Sequence, residues 1–201
     1  MPTKSTTGKE LYEEALRLAR EADRNNGPLP VRLLQEAAKA AYTPAVYALA
    51  NWYIHGKGVK RNFKKAITLL KKAAVDKYTL AEFDLAVSYE MGKGVAKNLK
   101  AALIWYRRAA NAGDLDGQKE LARCYYYGIG TKQNLAKAMD WYKKAAQRGD
   151  IEAQFALGRG YEFGEGVEKN ITRALQWYKK AANQGNDDAK KAVADLRTAQ
   201  I

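Results

Sequence analysis

Cysteine and histidine are each present once, as Cys124 and His55, in a chain of 201 residues. That scarcity excludes an internal disulfide framework, a Cys-cluster metal site and a His-pair zinc centre. Proline is also scarce, with four residues, which argues against a turn-rich all-β protein. No stretch approaches the roughly 18 consecutive apolar residues of a membrane span. Met1 to Glu10 is polar and Leu11 to Arg24 is charged at every turn, so no apolar core of a signal peptide exists. A soluble, cytoplasmic protein is the expectation. Acid is short as well: 22 Asp and Glu face 35 Lys and Arg, a formal net charge of +13. With 47% apolar and 28% charged residues, the balance is globular rather than disordered. No nucleophile and base occur at a spacing that promises a hydrogen bond between them. The chain therefore reads as a non-enzyme, with no metal and no cofactor.

What the sequence does contain is a repeat. Gly56-Lys57-Gly58-Val59 returns as Gly92-Lys93-Gly94-Val95, Gly128-Ile129-Gly130-Thr131 and Gly164-Glu165-Gly166-Val167, in steps of 36 residues. Asn62, Asn98, Asn134 and Asn170 keep the period, as do Tyr53, Tyr89, Tyr125 and Tyr161. Four units follow, 41–77, 78–113, 114–149 and 150–185, each with two helical patterns flanking the glycine turn. The first helix of unit one is predicted from Pro44 to His55, on the line Ala45, Leu49, Tyr53. Small residues at Ala50, Ala86, Ala122 and Gly158 allow close approach of a neighbouring helix. The second helix begins after the Asn, a preferred N-cap. It is expected to bury Ala66, Leu69, Leu70 and Ala73, with Trp105, Trp141 and Trp177 anchoring the later units. Gly113, Gly149 and Gly185 stand where left-handed C-caps belong. Asp114, Asp150 and Asn186 stand as the next N-caps, and Thr79-Leu80-Ala81-Glu82 reads as a capping box.

The ends differ. Leu11 to Asp23 reads as one amphipathic helix, Gly27-Pro28-Leu29-Pro30 as a break, and Val31 to Ala40 as a second helix. Residues 1–40 are thus a degenerate first repeat, and 186–201, with a helix over Asp187–Thr198, a closing cap. The expected architecture is one all-α domain over 1–201, a right-handed superhelical solenoid of antiparallel helix pairs with about eleven helices.

Residues 153–167, Ala-Gln-Phe-Ala-Leu-Gly-Arg-Gly-Tyr-Glu-Phe-Gly-Glu-Gly-Val, and 174–185, Ala-Leu-Gln-Trp-Tyr-Lys-Lys-Ala-Ala-Asn-Gln-Gly, resemble a Sel1-like repeat. The resemblance spans 41–185 and extends loosely to the flanks. Unit one departs from it, with Leu69-Leu70 in place of Trp-Tyr and Lys77-Tyr78 in place of Gly-Asp. The resemblance implies a scaffold for signalling or host-interaction complexes, mainly bacterial. Relatives with a cysteine pair in each repeat are known, but this chain has no such pair.

Candidate sites lie on the first helices and on one loop. If first helices line a concave groove, helical spacing selects Tyr47, Asn51, Ile54 and His55 in unit one. Phe83, Val87, Glu90 and Met91 are their counterparts in unit two, and Lys119, Arg123, Tyr126 and Tyr127 in unit three. Phe155, Arg159, Glu162 and Phe163 complete the set. Aromatic residues, Met and Arg are the types enriched at protein-binding hot spots. Unit one, residues 41–77, holds eight Lys and Arg against one acid, Asp76. Lys57, Lys60, Arg61, Lys64 and Lys65 crowd one turn there, read first as a solvated surface and otherwise as a docking patch suited to an acidic protein partner. The basic doublets Lys71-Lys72, Arg107-Arg108, Lys143-Lys144 and Lys179-Lys180 face outward beside the Trp-Tyr stripe. The Gly-x-Gly turn is no phosphate loop, because its middle Lys becomes Ile129 and Glu165. Cys124 reads as a semi-buried packing residue. The resulting expectation is a monomeric adaptor that binds a protein through its groove, with a toxin-neutralising immunity protein as the narrower form. Nucleic-acid or anionic-surface binding through the basic patch is the alternative.

Overall fold

The computed structural model describes residues 7–21 and 28–198. The polar N-terminal residues 1–6, the predicted helix end at Asp23 and Gly27 of the predicted break lie outside them. Among the described residues there are eleven α-helices and no strand. The chain divides into two compact units, Met1–Asn98 and Leu99–Ile201. The first contains α1 (Gly8–Glu21), α2 (Pro28–Lys39), α3 (Thr43–His55), α4 (Phe63–Val75) and α5 (Thr79–Met91). The second contains α6 (Leu99–Asn111), α7 (Leu115–Tyr127), α8 (Leu135–Gln147), α9 (Ile151–Phe163), α10 (Ile171–Asn183) and α11 (Asp187–Thr198). Within each unit every helix packs on its neighbours in the chain, so the core is built from local pairs.

The repeated residues set the helix ends. The Asn62, Asn134 and Asn170 side chains accept the backbone N–H of Lys65, Lys137 and Arg173. Asp114, Asp150 and Asn186 do the same for Gly117, Ala153 and Ala189, as their types predict. Gly128 closes α7 in the left-handed conformation, with φ 71°. Two residues on, Gly130 has φ 69°, and a Cβ there would overlap the Leu99 carbonyl. The second glycine of the turn is therefore the point where one repeat's turn lies against the start of the previous repeat's second helix.

Five expectations are corrected. Pro28-Leu29-Pro30 belong to α2 rather than to a break, because proline is tolerated in a first helical turn, where N–H groups have no partner. The capping box at Thr79 does not form: Tyr78 is the N-cap, without a side-chain bond. Glu82 is buried there, in the register of Gln118 and Gln154, whose amides donate to the Ala110 and Ala146 carbonyls. Cys124 is fully buried, not semi-buried. Leu69 is half-buried, and the core position beside it is Ile67. Trp105, Trp141 and Trp177 are likewise only half-buried. Their rings instead carry Arg108, Lys144 and Lys180 at 4.6, 3.7 and 4.1 Å from the centroids, a cation–π arrangement. The next residue takes the core: Tyr106, Tyr142 and Tyr178 are buried. Gly158 admits the Tyr178 ring, which a Cβ would meet at 2.6 Å.

Unit one keeps the repeat geometry despite its departures. Lys77 and Ala41 adopt φ 58°, the conformation that glycine supplies at 113, 149 and 185.

Candidate functional site

The ends of the first helices share one property. His55, Met91, Tyr127 and Phe163 are the last residues of α3, α5, α7 and α9, 36 positions apart, and all are exposed. Met91, Tyr127 and Phe163 are 59%, 65% and 59% accessible. Their helices end at the αL glycine, so the final side chain projects where no further turn covers it. Large apolar groups held this way leave apolar surface in water.

In the first unit, Tyr47, Asn51, Ile54, Phe83, Val87 and Glu90 are half-buried. The Tyr47 hydroxyl bonds Asn51 and Asp84, and its ring lies 5.0 Å from that of Tyr78. Burial, and after it the negative charge of Asp84, push the Tyr47 phenol up to about 12. These residues hold one another.

The basic cluster Lys57, Lys60, Arg61, Lys64 and Lys65 is exposed throughout. Lys57 stands 5.4 Å from the Trp52 ring, Arg61 5.7 Å from Phe63 and Lys65 5.5 Å from Tyr53. Lys60, Arg61 and Lys65 line an open depression of about 450 Å³ with Tyr53, Val59 and Asn62. Lys137 over Tyr125 and Arg173 over Tyr161 repeat the Lys65 arrangement. Part of the cluster's charge thus serves its own repeat's rings. Among the described residues, no ion pair involves 41–77.

The second unit gathers candidates into a cavity. Tyr126, Tyr127, Phe155 and Arg159 line a pocket of about 220 Å³ together with Tyr142, Ala156 and Glu165. The Tyr126 hydroxyl donates to Glu165 Oε2 at 2.7 Å, which raises the Tyr126 pKa, with burial adding to it. The Tyr126 and Tyr127 rings meet edge-on at 4.8 Å. Phe155 packs 5.5 Å from Tyr178, whose hydroxyl donates to Glu162 at 2.6 Å. Arg159 lies 6.0 Å from the Phe163 ring. Burial raises the Tyr142 pKa. Lys119 and Arg123 stand apart from the pocket. Lys119 is held by Glu152 at 3.0 Å and by Asp150 and Asp116 at 3.8 Å, and Arg123 by Glu120 at 2.6 Å. Burial lowers the Lys119 pKa, but the three carboxylates outweigh it and the net shift is upward.

Tyr142, Ala156 and Glu165 are pocket residues that sequence reasoning missed. The available signal was at position 126, where Tyr stands in the register of Glu90 and Glu162. No group of three or more His, Cys, Asp or Glu side chains could hold a metal among the described residues.

Paired helices, capped by Asn and closed by glycine turns of fixed period, define an all-α solenoid of helix pairs. The chain belongs to the Sel1 repeat family, which it matches over residues 43–74, 79–114, 115–150 and 151–186. Solved structures agree. A protective antigen of uropathogenic Escherichia coli with an SLR fold is 31% identical, with a TM-score of 0.92 over 98% of this chain and 43% of that one. The present chain therefore spans less than half of that antigen's length. A Sel1 repeat protein from Oxalobacter formigenes is 30% identical, with a TM-score of 0.84 over 93% of this chain and 77% of that one. An immunity protein from Pseudomonas aeruginosa is 26% identical, with a TM-score of 0.52 over 94% and 69%. Among curated proteins, no sequence matches the chain. Sel1-repeat solenoids are typical protein-interaction scaffolds, and no described helix is long and apolar enough to cross a membrane.

Proposed function

We propose that the chain is a non-enzymatic adaptor that binds a protein partner through the ends of its first helices. The observation that carries this reading is the exposed pair Tyr127 and Phe163 at one register of the second unit. Large apolar side chains at their solvent-exposed positions are the type that interface hot spots use. The half-buried residues beside them, such as Tyr126 and Phe155, support these ends. A finer form of the role, neutralising a toxin by covering its surface, is supported by the likeness to the Pseudomonas immunity protein.

A second reading rests on the 41–77 segment, whose eight cations face one acid and whose Lys60, Arg61 and Lys65 line an open depression. There an anionic surface or nucleic acid would dock, with a steep salt dependence.

Affinity capture from the native host separates the two. Tyr127→Ser with Phe163→Ser alters exposed positions only, so the fold persists and partner recovery falls. Lys60→Glu with Lys64→Glu leaves recovery intact under the adaptor reading and abolishes it under the second. Full recovery by the helix-end variant contradicts the adaptor reading.

A further inference from the structure

We propose that the groove between α2, α3 and α4 is a receptor for one aromatic side chain, a tryptophan presented by a protein partner. The groove lies apart from the helix ends that carry the adaptor reading, and it can be tested whether or not those ends bind.

The groove exists because the first complete repeat lacks a ring that the later three supply. Trp105, Trp141 and Trp177 recur at one register, and the same register in 41–77 holds Leu69. Three residues after each Trp comes a cation, and Arg108, Lys144 and Lys180 stand over those rings. Lys72 keeps that place in the first repeat, but the side chain three residues before it is a leucine. Its ammonium reaches back to the Ala38 carbonyl at 3.4 Å, longer than an ordinary N–H···O bond. Two adjoining depressions open here, of about 330 and 220 Å³, and Gln35, Leu49 and Leu69 line both. Lys65 edges the larger, Lys39 and Lys72 the smaller.

The later repeats show which group suits this register: a half-buried indole with a cation on its face. Leu49 and Leu69 supply the apolar floor. Lys72 supplies the cation, and among the aromatic rings indole attracts an ammonium most strongly. Lys65 already stands 5.5 Å from the Tyr53 ring, whereas among the described residues Lys72 stands over none. Gln35 makes a second departure. It occupies the register of Lys71, Arg107 and Lys143, where it removes a positive charge and brings a side-chain carbonyl that can accept an indole N–H. A leucine side chain from a partner would cover the floor but gain nothing from Lys72 or Gln35. A carboxylate would find the ammonium groups and leave Leu49 and Leu69 uncovered. A cationic side chain would meet Lys39, Lys65 and Lys72. The volumes admit a side chain and no folded segment.

The test titrates the full chain by NMR with N-acetylated, C-amidated Trp, Leu and Glu, and with free tryptophan. Blocked Trp should shift the Leu49, Leu69 and Lys72 signals saturably and bind more tightly than blocked Leu or Glu. Leu69→Trp gives the groove the chain's own indole, so it should abolish the binding and raise the denaturation midpoint. Lys72→Met keeps an unbranched stem and removes the charge at an exposed position. It should weaken blocked Trp about two- to fivefold, the scale of one exposed cation–π contact. Blocked Leu or Glu binding as tightly as blocked Trp, full binding by either variant, or no response to blocked Trp overturns the proposal. A lowered midpoint for Leu69→Trp does the same, because the groove then has no place for an indole. Tighter binding of free tryptophan also overturns it, since the ligand is then the amino acid rather than a partner's side chain.

Discussion

Trp141 is only partly buried, under the Lys144 ammonium, while Tyr178, in the corresponding core register one position on, is 1% exposed. The burial fixes their energetic weight. Trp141→Ala should cost about 1–2 kcal/mol, because truncating a half-buried ring leaves no enclosed void. Tyr178→Ala should cost about 3–5 kcal/mol, the range for emptying a buried aromatic site. Urea unfolding of the two variants gives the comparison, and a larger loss for Trp141 contradicts the burial. Sequence pattern shows the Trp-Tyr pair but not which member goes inside, since both are aromatic and their angular positions differ by only one residue. Lys77 offers an opposite case. Its φ of 58° is costly for a side chain with a Cβ, and Gly occupies the equivalent position in later repeats. Lys77→Gly should stabilise the chain by about 0.5–1 kcal/mol, read as a raised denaturation midpoint. Tyr47 gives a pH signature. Its pKa is raised above the unfolded value of 10.0 to about 12, so the folded state binds the proton more tightly. That contribution to stability is whole below pH 10 and is lost as pH rises through about 12. Tyr47→Phe should flatten the alkaline decline of the denaturation midpoint, and an unchanged decline contradicts the assignment.

Helix starts and ends obey rules that single residues declare, which is why most elements were legible. Asn62, Asn134 and Asn170 at second-helix starts and the glycines that end α3, α5, α7 and α9 read correctly from the sequence, because caps depend on local geometry alone. The capping box at Thr79 failed because the left-handed Lys77 sets the frame one position earlier, at Tyr78. Pro28 and Pro30 misled in the same way: their effect depends on whether they stand inside or before the first turn. The turn itself carries a sharper prediction. Gly130 needs both a positive φ and the room of a missing Cβ against Leu99, so Gly130→Ala should cost more than about 2 kcal/mol. Gly113, with nothing within 4 Å of an added Cβ, needs only the positive φ, and Gly113→Ala should cost less, about 1 kcal/mol. Thermal melts of the pair decide it; equal shifts would remove the packing role assigned to the second glycine.

The molecule as a whole carries its fold in its period and its site in departures from that period. Four repeats of one local design were legible because each states the same caps, turns and spacing. The pocket was not, because it comes from Tyr126 replacing a glutamate and from Glu165, 39 residues on. Sequence spacing along one helix could not join these. The basic patch reads differently in three dimensions than in one. Lys57, Arg61 and Lys65 rest on rings of their own repeat, which accounts for part of the basic excess without a partner. The most direct test of the account is amide hydrogen exchange of the purified complex with the captured partner. Slowed exchange should concentrate at the last turns of α7 and α9, around Tyr127 and Phe163. Protection confined to residues 57–65, with those turns exchanging as in the free chain, would contradict it.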